Sequence, residues 1–321
     1  MKVTNKMIHK DIRLIGSILR LFTRGTTKES FCRQYEKTRQ DFEKCKPKKA
    51  AMERIYLKRA DGSDMRTVIL KPQKKVAGVP LVLWLHGGGY VLGYPENDFS
   101  IMEQLMDAAD CIMVSPDYTL GVSAPYPAAL LDAYQALLWA KEHAEELGAN
   151  PDQIFVGGES AGGGLAAALA IYARDKGEVQ VAFQMPLYPM LDDRGITESA
   201  RDNDAPMWDS NSNTIAWKMY LGELYGTDNV PPYAAPSRLT DFSGLPPAYS
   251  YVGSIEPFYD ETRIYFEELK KAGVPCHLDI YPGGFHGFDT IGAKKPIGRE
   301  AHAKLADAFQ NAAAHYFAKN T

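Results

Sequence analysis

The strongest constraint on the fold is a sharp turn between a predicted strand and a predicted helix, in the run QIFVGGESAGGGLAAALAIYA at 153–173. The apolar residues before the glycines predict a buried strand, and the alanine-rich stretch after them predicts a helix. Ser160 lies at the turn, with Gly158 and Gly162 two residues to either side. This G-x-S-x-G spacing removes Cβ atoms that would clash in so tight a turn, and it is typical of a serine that projects its hydroxyl above the sheet.

Two other uses of a glycine-rich turn do not fit this spacing. A phosphate-binding P-loop needs G-x-x-x-x-G-K-[ST], and no lysine follows these glycines. The dinucleotide-binding pattern G-x-G-x-x-G cannot be placed on the run in the right register. A structural turn without chemistry stays open at this point, because G-x-S-x-G alone also occurs by chance.

The rest of the chain alternates between short apolar strands and helices from residue 53 onward, with one helix predicted over 128–148. Continuous apolar strands joined by crossover helices predict an α/β fold, with a mostly parallel sheet covered by helices on both faces. A hairpin around DGSD at 61–64 is expected to add an antiparallel edge.

Residues 191–232 break the alternation and are interpreted as an insertion above the sheet. Residues 5–45 are predicted to be helical, with a second helix at about 28–44. The apolar stripe of the first helix contains Ile8, Ile12, Ile15, Leu19 and Phe22.

The charge is distributed unevenly along the chain. The net charge is −4, but residues 1–60 carry 17 basic and 6 acidic side chains, a local charge of +11 that leaves −15 on the remainder. Such a basic arm could touch an anionic surface, or it could be a solvated segment that docks onto the acidic body. We favour the second interpretation, because the basic residues are spread out, and expect neither a nucleic-acid nor a membrane partner.

Cysteine usage and hydropathy indicate the class of protein. The four cysteines are widely spaced without a C-x-x-C pair, so we expect no metal site and no disulfide framework. No run of about 18 apolar residues predicts a membrane span. Charged residues interrupt the N-terminal apolar stretch, which argues against a signal peptide and makes a cytoplasmic location the expectation.

A second glycine run follows the apolar strand VPLVLWLH, which is predicted to end at His86. The sequence His86-Gly-Gly-Gly89 lets backbone N–H groups point into a site without obstruction by side chains. Preorganised N–H donors of this kind form an oxyanion hole, and the N–H of Ala161 at the start of the next helix would be a further donor. His86 itself is interpreted as holding the glycine loop in place.

A general base is expected after Ser160 in the chain, because this fold class orders its groups as serine, acid and histidine. Of the four later histidines, His277 lies in a predicted strand, and His302 and His315 lie on the last predicted helix. His286 lies in the loop YPGGFHGFDT directly after a strand, and we select it as the base.

The acid is expected after the predicted strand AYSYVGS, which ends at Ser254. Glu256 is the first carboxylate beyond this strand, and Asp260, about one turn further on, is the alternative. The acid would accept the imidazole N–H of His286 and fix the tautomer of the ring.

Together these features resemble the hormone-sensitive-lipase-like carboxylesterases of the α/β-hydrolase superfamily, which carry an HGGG motif. The resemblance covers about residues 55–320. It is carried by six motifs in the family's order: HGGGYVLG, SPDYTLGVSAPYPAALLDAY, GGESAGGGLA, QMPLYPMLDD, GSIEPFYDE and YPGGFHGF.

The resemblance implies an α/β-hydrolase fold and a serine esterase without a cofactor. Ser160, Glu256 and His286 would form the triad, and Gly88, Gly89 and Ala161 would supply the oxyanion-hole N–H groups. Residues 1–50 would be an N-terminal helical cap segment. Residues 51–321 would be the catalytic domain, with a cap insertion at about 190–225. A homodimer through the edge strand PCHLDIYPG is a further implication.

Three departures from the family pattern stand out. Glu256 replaces the usual aspartate of the acid motif, Glu159 replaces the usual aspartate or threonine before the nucleophile, and TLGVS at 119–123 lacks the usual arginine and glutamate. None of them removes a group needed for catalysis.

The predicted function is hydrolysis of short-chain acyl esters, acetyl esters among them, with a small ester as the expected substrate. The sequence pattern does not indicate a hydrophobic surface helix of the kind that binds lipid interfaces, so short acyl chains are expected over long ones. Trp208, Trp217 and Tyr220 could line the alcohol side or only pack within the cap. An amidase or acyltransferase with the same triad, or a non-catalytic binding protein of the same fold, is the alternative.

Overall fold

The computed structural model describes residues 1–23, 25–38, 42–59 and 61–318. One eight-stranded sheet runs through this part of the chain. Its strands are β1 (Ala51–Lys58), β2 (Asp64–Lys71), β3 (Val79–Leu85), β4 (Ile112–Pro116), β5 (Ala149–Glu159), β6 (Phe183–Leu187), β7 (Ala248–Gly253) and β8 (Cys276–Tyr281).

The strand order across the sheet is β1-β2-β4-β3-β5-β6-β7-β8. β1 and β2 form the hairpin predicted around 61–64, and β2 pairs antiparallel with β4. All pairs from β4 to β8 are parallel. The prediction of a mostly parallel sheet with an antiparallel edge is therefore confirmed.

Ten α-helices accompany the sheet in the described residues. They are α1 (Arg13–Thr23), α2 (Lys28–Thr38), α3 (Phe99–Ala108), α4 (Ala128–Glu142), α5 (Ala144–Leu147), α6 (Ala161–Lys176), α7 (Ser210–Leu221), α8 (Tyr259–Lys271), α9 (Phe288–Ile291) and α10 (Pro296–His315). Short 3-10 helices occur at Phe42–Lys44, Pro95–Asp98, Gly222–Leu224 and Pro236–Arg238.

The core occupies both faces of the sheet. Along β3, Leu83 and Leu85 belong to a cluster with α4 and α6, whereas Val82 and Trp84 point to the opposite face with α3 and α10. Because both faces are covered, β3 is apolar at every position and shows no polar alternation. This burial explains why the central strands read as continuous apolar runs in the sequence.

Two predicted helices differ from the observed ones. The helix predicted at 128–148 is divided at His143, where the backbone (φ −104°, ψ 7°) leaves helical values between α4 and α5. The helix predicted at 28–44 ends as α2 at Thr38, and residues 39–41 lie outside the described residues. Periodicity in the sequence does not register such local departures of the backbone.

The N-terminal segment packs against the insertion that follows β6. The ring of Phe31 on α2 lies 6.0 Å from the ring of Trp208. The Asn211 side chain at the start of α7 donates to the carbonyl oxygen of Thr26 at 2.8 Å, and the Ser212 hydroxyl lies 3.1 Å from that of Thr26. The two segments thus form one layer, and Trp208 brings it to the glycine loop after β3, where it contacts Gly89.

Across residues 1–23, 25–38, 42–59 and 61–318, the structure contains no helix with the length and apolar character needed to cross a bilayer.

Candidate active site

The turn at Ser160 has the strained geometry that its sequence predicts. Ser160 adopts φ 57° and ψ −119° between β5 and α6, a conformation that side chains rarely take. A Cβ atom on Gly158 would lie 2.3 Å from the carbonyl oxygen of Leu85, and one on Gly162 would lie 2.0 Å from that same oxygen. The two glycines therefore allow β3 and the turn to approach each other, and no other residue fits at either position.

Backbone hydrogen bonds fix the serine in this turn. The Ser160 N–H donates to the carbonyl oxygen of Leu187 at 2.9 Å, and the Ser160 carbonyl accepts from Met190 at 3.0 Å and from Gly164 at 2.9 Å. Ala161 is the first residue of α6, so its N–H is one of those for which the helix itself offers no acceptor. The positive end of the helix dipole lies at the same point.

The glycine loop after β3 also requires glycine. Gly88 and Gly89 have positive φ angles of 126° and 64°. A Cβ atom on Gly88 would lie 2.2 Å from the carbonyl oxygen of Leu92, and one on Gly89 would lie 2.4 Å from the indole ring of Trp208. The loop is thus closely packed and is not slack.

Two groups hold this loop, and one of them has no signal in the sequence. The Asp98 carboxylate accepts hydrogen bonds from the Trp84 indole N–H at 2.9 Å and from the Gly87 N–H. Burial raises the pKa of Asp98 to about 7 despite these donors. The buried His86 ring stacks on Tyr118 at 4.2 Å, which agrees with its predicted supporting role. Because the Gly87 N–H is bound to Asp98, the N–H groups of Gly88 and Gly89 are the better candidates for an oxyanion hole.

His286 is the histidine that the structure places against the serine. Its Nε2 lies 2.8 Å from the Ser160 Oγ, and both residues are buried. His277 is on the edge strand β8 and stacks on Tyr249. On α10, His302 contacts Asp289, and His315 contacts the carbonyl oxygen of Asn311.

Glu256 is the carboxylate that contacts His286. Its Oε2 lies 2.5 Å from the His286 Nδ1, and its Oε1 accepts the Gly253 N–H at 3.1 Å. Burial raises the pKa of Glu256, while the facing imidazole lowers it. The alternative acid, Asp260, accepts the Ser199 N–H at 2.8 Å through its own carboxylate. The structure therefore brings together Ser160, His286 and Glu256, and it engages Asp260 elsewhere.

Aromatic rings enclose the imidazole. Tyr188 and Phe258 meet the His286 ring edge-on, with centroids 5.1 and 5.0 Å away, and Trp208 lies at 6.3 Å. Of these, the sequence pointed only to Trp208, and it left open whether this ring lines the site. Trp217 and Tyr220 instead pack on the buried Tyr90.

The structure also gives Glu159 a partner. The Tyr188 hydroxyl donates to the Glu159 Oε1 at 2.5 Å. Burial, together with the nearby carboxylates of Asp98 and Asp289, raises the pKa of Glu159 well above its usual value. A protonated Glu159 would thus sit beside the serine and hold the tyrosine that packs on the His286 ring.

Replacing Glu159 with glutamine is expected to make the protein more resistant to alkaline pH. An acid whose pKa is raised by folding contributes stability that is complete below its unfolded pKa, 4.5 here, and is lost as the pH rises through the folded pKa. Glutamine mimics the neutral acid and keeps an acceptor for Tyr188. Between the unfolded pKa and the folded pKa of Glu159, the free energy of unfolding of the wild type should fall relative to that of Glu159→Gln by up to about 1.4 kcal/mol per pH unit.

Urea unfolding from pH 4 upward, in steps of about one unit, measures this difference. Glu223→Gln is the matched control, since it removes a carboxyl group from an exposed position. Parallel stability curves for wild type and Glu159→Gln would show that the Glu159 carboxyl is ionised in the folded protein.

The arrangement can perform nucleophilic acyl transfer. It combines a serine hydroxyl in contact with an imidazole, a carboxylate that orients the imidazole, and backbone N–H donors beside the serine. In the described part of the chain, no three His, Cys, Asp or Glu side chains are grouped as a metal site would require.

The sequence and the fold are both similar to those of known proteins. A sequence model of the α/β-hydrolase fold matches residues 82–290. The esterase LipI of Mycobacterium tuberculosis is 38% identical over 226 residues, which are 70% of this chain and 70% of that protein. The carboxylesterase NlhH of the same species is 34% identical over 237 residues, or 73% of this chain and 74% of that protein. Among solved structures, a bacterial heroin esterase superposes with a TM-score of 0.84 at 32% identity, covering 97% of this chain and 99% of the other.

Proposed function

The chain belongs to the hormone-sensitive-lipase-like carboxylesterase family of the α/β-hydrolase superfamily, and we propose that it is a serine carboxylesterase with Ser160, His286 and Glu256 as its triad. The observation that carries the proposal is the continuous contact from the Ser160 Oγ through both nitrogens of His286 to Glu256. The esterase relatives support the reaction class, and the contacts support the assignment of the three residues.

In this mechanism, the Ser160 Oγ attacks the ester carbonyl while the His286 Nε2 takes the hydroxyl proton. Glu256 accepts the N–H at His286 Nδ1 and stabilises the imidazolium that forms. The imidazolium then protonates the leaving alcohol, which departs and leaves an acyl group on Ser160. Water, activated by the same imidazole, attacks the acyl-enzyme, releases the acid and restores the serine.

The oxyanion of each tetrahedral intermediate would be bound by the N–H groups of Gly88, Gly89 and Ala161. Their support is structural: the two glycines have positive φ angles, which residues with a side chain adopt only rarely, and Ala161 begins a helix directly beside the nucleophile. Donors fixed in this way stabilise developing charge without reorganising during the reaction.

A preference for short acyl groups, acetyl included, follows from what covers the serine. Ser160 is only 7% exposed, and the Trp208 ring, itself backed by Phe31, lies against Gly89 of the glycine loop. A long acyl chain would have to displace this pair of rings.

We therefore expect kcat/KM for p-nitrophenyl esters to fall by about tenfold or more between butanoate and octanoate. Trp208→Ala should reduce this difference in kcat/KM, because it removes one of the rings that cover Ser160. Trp217→Ala is the control: it deletes a buried indole in the same layer and should leave the ratio between the two esters unchanged. Equal rates for both esters in the wild type would refute the short-chain preference.

The test of the activity itself is turnover of p-nitrophenyl acetate together with labelling by a fluorophosphonate probe. A protein that is folded yet neither turns over the ester nor reacts with the probe would be a binding protein of the same fold. Faster cleavage of the matching anilide than of the ester would identify an amidase.

We assign residues 51–321 to the catalytic domain. Residues 1–50, together with the insertion at about 190–225, would form a cap over its site. Its contacts with Gly89 and His286 through Trp208 support that role. The position of β8 at the edge of the sheet supports a homodimer formed by pairing of this strand across two copies.

A further inference from the structure

The first helix presents an apolar stripe to solvent. On α1, Leu14 is 78% exposed, Leu21 is 74% exposed and Ile18 is 48% exposed. The spacing of four and three residues places these side chains on one face of the helix. Leu14 and Leu21 are the most exposed large hydrophobic residues in the part of the chain that the structure describes. Single exposed apolar residues are common, but a contiguous patch of this kind marks an interaction surface.

The opposite face of α1 is attached firmly to the body of the protein. Ile12, directly before α1, is fully buried, and Gly16 on the helix lies so close to Phe285 that an added Cβ would be 2.8 Å from its ring. Arg20 forms an ion pair with Asp204 at 2.6 Å. The exposed stripe is therefore part of a fixed outer surface, held in place by contacts on the inner side of the helix.

The segment that carries the stripe has a positive net charge. Residues 1–23 contain five lysines and arginines and a single acidic residue, Asp11. Lys6, Lys10 and Arg13 are exposed, whereas the Asp11 carboxylate accepts the N–H of Ile297 on the body side at 3.3 Å. The acid thus faces inward, and the exposed bases directly precede the exposed apolar face in the chain.

We propose that α1 docks the protein on an anionic lipid surface, with Leu14, Ile18 and Leu21 entering the headgroup region. A helix with an apolar face flanked by basic residues lies in the plane of such a surface, because apolar burial and attraction to acidic headgroups act together. Stacking of this stripe against a second copy would instead bring two sets of basic side chains together, which is unfavourable.

The sequence pattern did not indicate this surface. Of the predicted stripe, Ile8 and Ile12 are completely buried and Leu19 packs partly buried against the core, whereas Ile15 is 41% exposed and does not belong to the inner face. The side chain of Phe22 lies outside the described part. Leu14, Ile18 and Leu21 form a second stripe, and only the structure reveals which of the two faces outward. The expectation of no membrane contact rested on the even spread of the basic residues and did not take this exposed apolar face into account.

Docking in this orientation would place the site near the lipid. α1 contacts Phe285, which directly precedes His286. On the proposed function, an ester dissolved in the outer part of a bilayer would reach the site from the docked side. The docking itself does not depend on that function.

The experiment is co-sedimentation of the full-length protein with vesicles of equimolar phosphatidylcholine and phosphatidylglycerol, compared with vesicles of phosphatidylcholine alone. We expect reversible binding to the anionic vesicles, at least about tenfold weaker binding to the neutral ones, and a marked loss of binding in 1 M salt, where the Debye length is about 3 Å.

Two pairs of variants separate the apolar and charged contributions. Leu14→Ser with Leu21→Ser should lower partitioning at least about tenfold. The control, Leu131→Ser with Ile264→Ser, alters exposed apolar residues on α4 and α8 and should bind as the wild type does. Lys6→Glu with Lys10→Glu should lower binding to anionic vesicles about tenfold, and the charge-matched control Lys75→Glu with Lys270→Glu should not.

The proposal is overturned if the folded wild type does not sediment with anionic vesicles, or if Leu14→Ser with Leu21→Ser binds them equally well. Light scattering without lipid provides a further check. If the same leucine variant converts a dimer into a monomer, a second copy of the chain occupies the stripe. Turnover of p-nitrophenyl acetate in solution is measured on all variants and tests the proposed esterase function separately. A failure of membrane docking can therefore be distinguished from a failure of the proposed function.

Discussion

Alanine at position 160 is expected to reduce kcat/KM for p-nitrophenyl acetate by at least about 10⁴-fold and to abolish labelling by a fluorophosphonate. The Ser160 Oγ is the hydroxyl in contact with the His286 Nε2, at 2.8 Å, and alanine leaves the imidazole without a nucleophile to activate. The substitution keeps the turn, because the backbone bonds of residue 160 to Leu187 and Met190 do not involve its side chain.

The matched control is Ser115→Ala. Ser115 is also a buried serine with a single side-chain acceptor, the carbonyl oxygen of Trp84, and it lies on β4 away from His286. Loss of the Ser115 hydroxyl should lower the melting temperature of the protein while having little effect on kcat/KM. Esterase activity and probe labelling that survive in Ser160→Ala would identify a different nucleophile and remove the basis of the proposed triad.

Residual turnover in Ser160→Ala is expected to be slow but measurable. Backbone donors and binding alone leave about 10³–10⁴-fold acceleration over water in enzymes that have lost their triad. The same reasoning predicts that adding His286→Ala to Ser160→Ala has little further effect, since the two residues act as a unit.

Chain order and loop position were sufficient to predict which residues meet at this site. Ser160 and His286 follow strands whose carboxyl ends share one edge of a parallel sheet, so their proximity is a consequence of the fold. Glu256 could be separated from Asp260 only by its place before α8. The structure adds that Asp260 is engaged by Ser199.

Contacts between distant segments were not predictable from the sequence. Asp98 and Gly87 are joined only when the segment before α3 folds back on β3, and Tyr188 reaches Glu159 only across two neighbouring strands. Neither contact leaves a periodicity or a spacing in the sequence. The exposed stripe of α1 escaped prediction for a related reason: a helix that is apolar on both sides does not reveal which side is buried.

The second large effect is expected at Glu256. Glu256→Gln should lower kcat/KM by up to about 10⁴-fold, because an amide cannot stabilise the imidazolium and can force the wrong tautomer on His286. Asp260→Asn is its matched control, an acid-to-amide change four residues away on the same segment. It should lower kcat/KM by no more than a few-fold, because the Asp260 carboxylate bonds Ser199 and does not reach the imidazole.

Glu256→Asp tests the length of the acid and is the sharper experiment. The glutamate carboxylate reaches both the His286 Nδ1 and the Gly253 N–H, so shortening it by one methylene must stretch at least one of these bonds. We expect kcat/KM to lie between the values for the wild type and Glu256→Gln. The protein that remains active should still be labelled by the fluorophosphonate probe. A larger loss in Asp260→Asn than in Glu256→Gln would reassign the acid to Asp260. Full activity in Glu256→Asp would show that the loop adjusts to either acid, so that the glutamate found here is a neutral alternative to the family's aspartate.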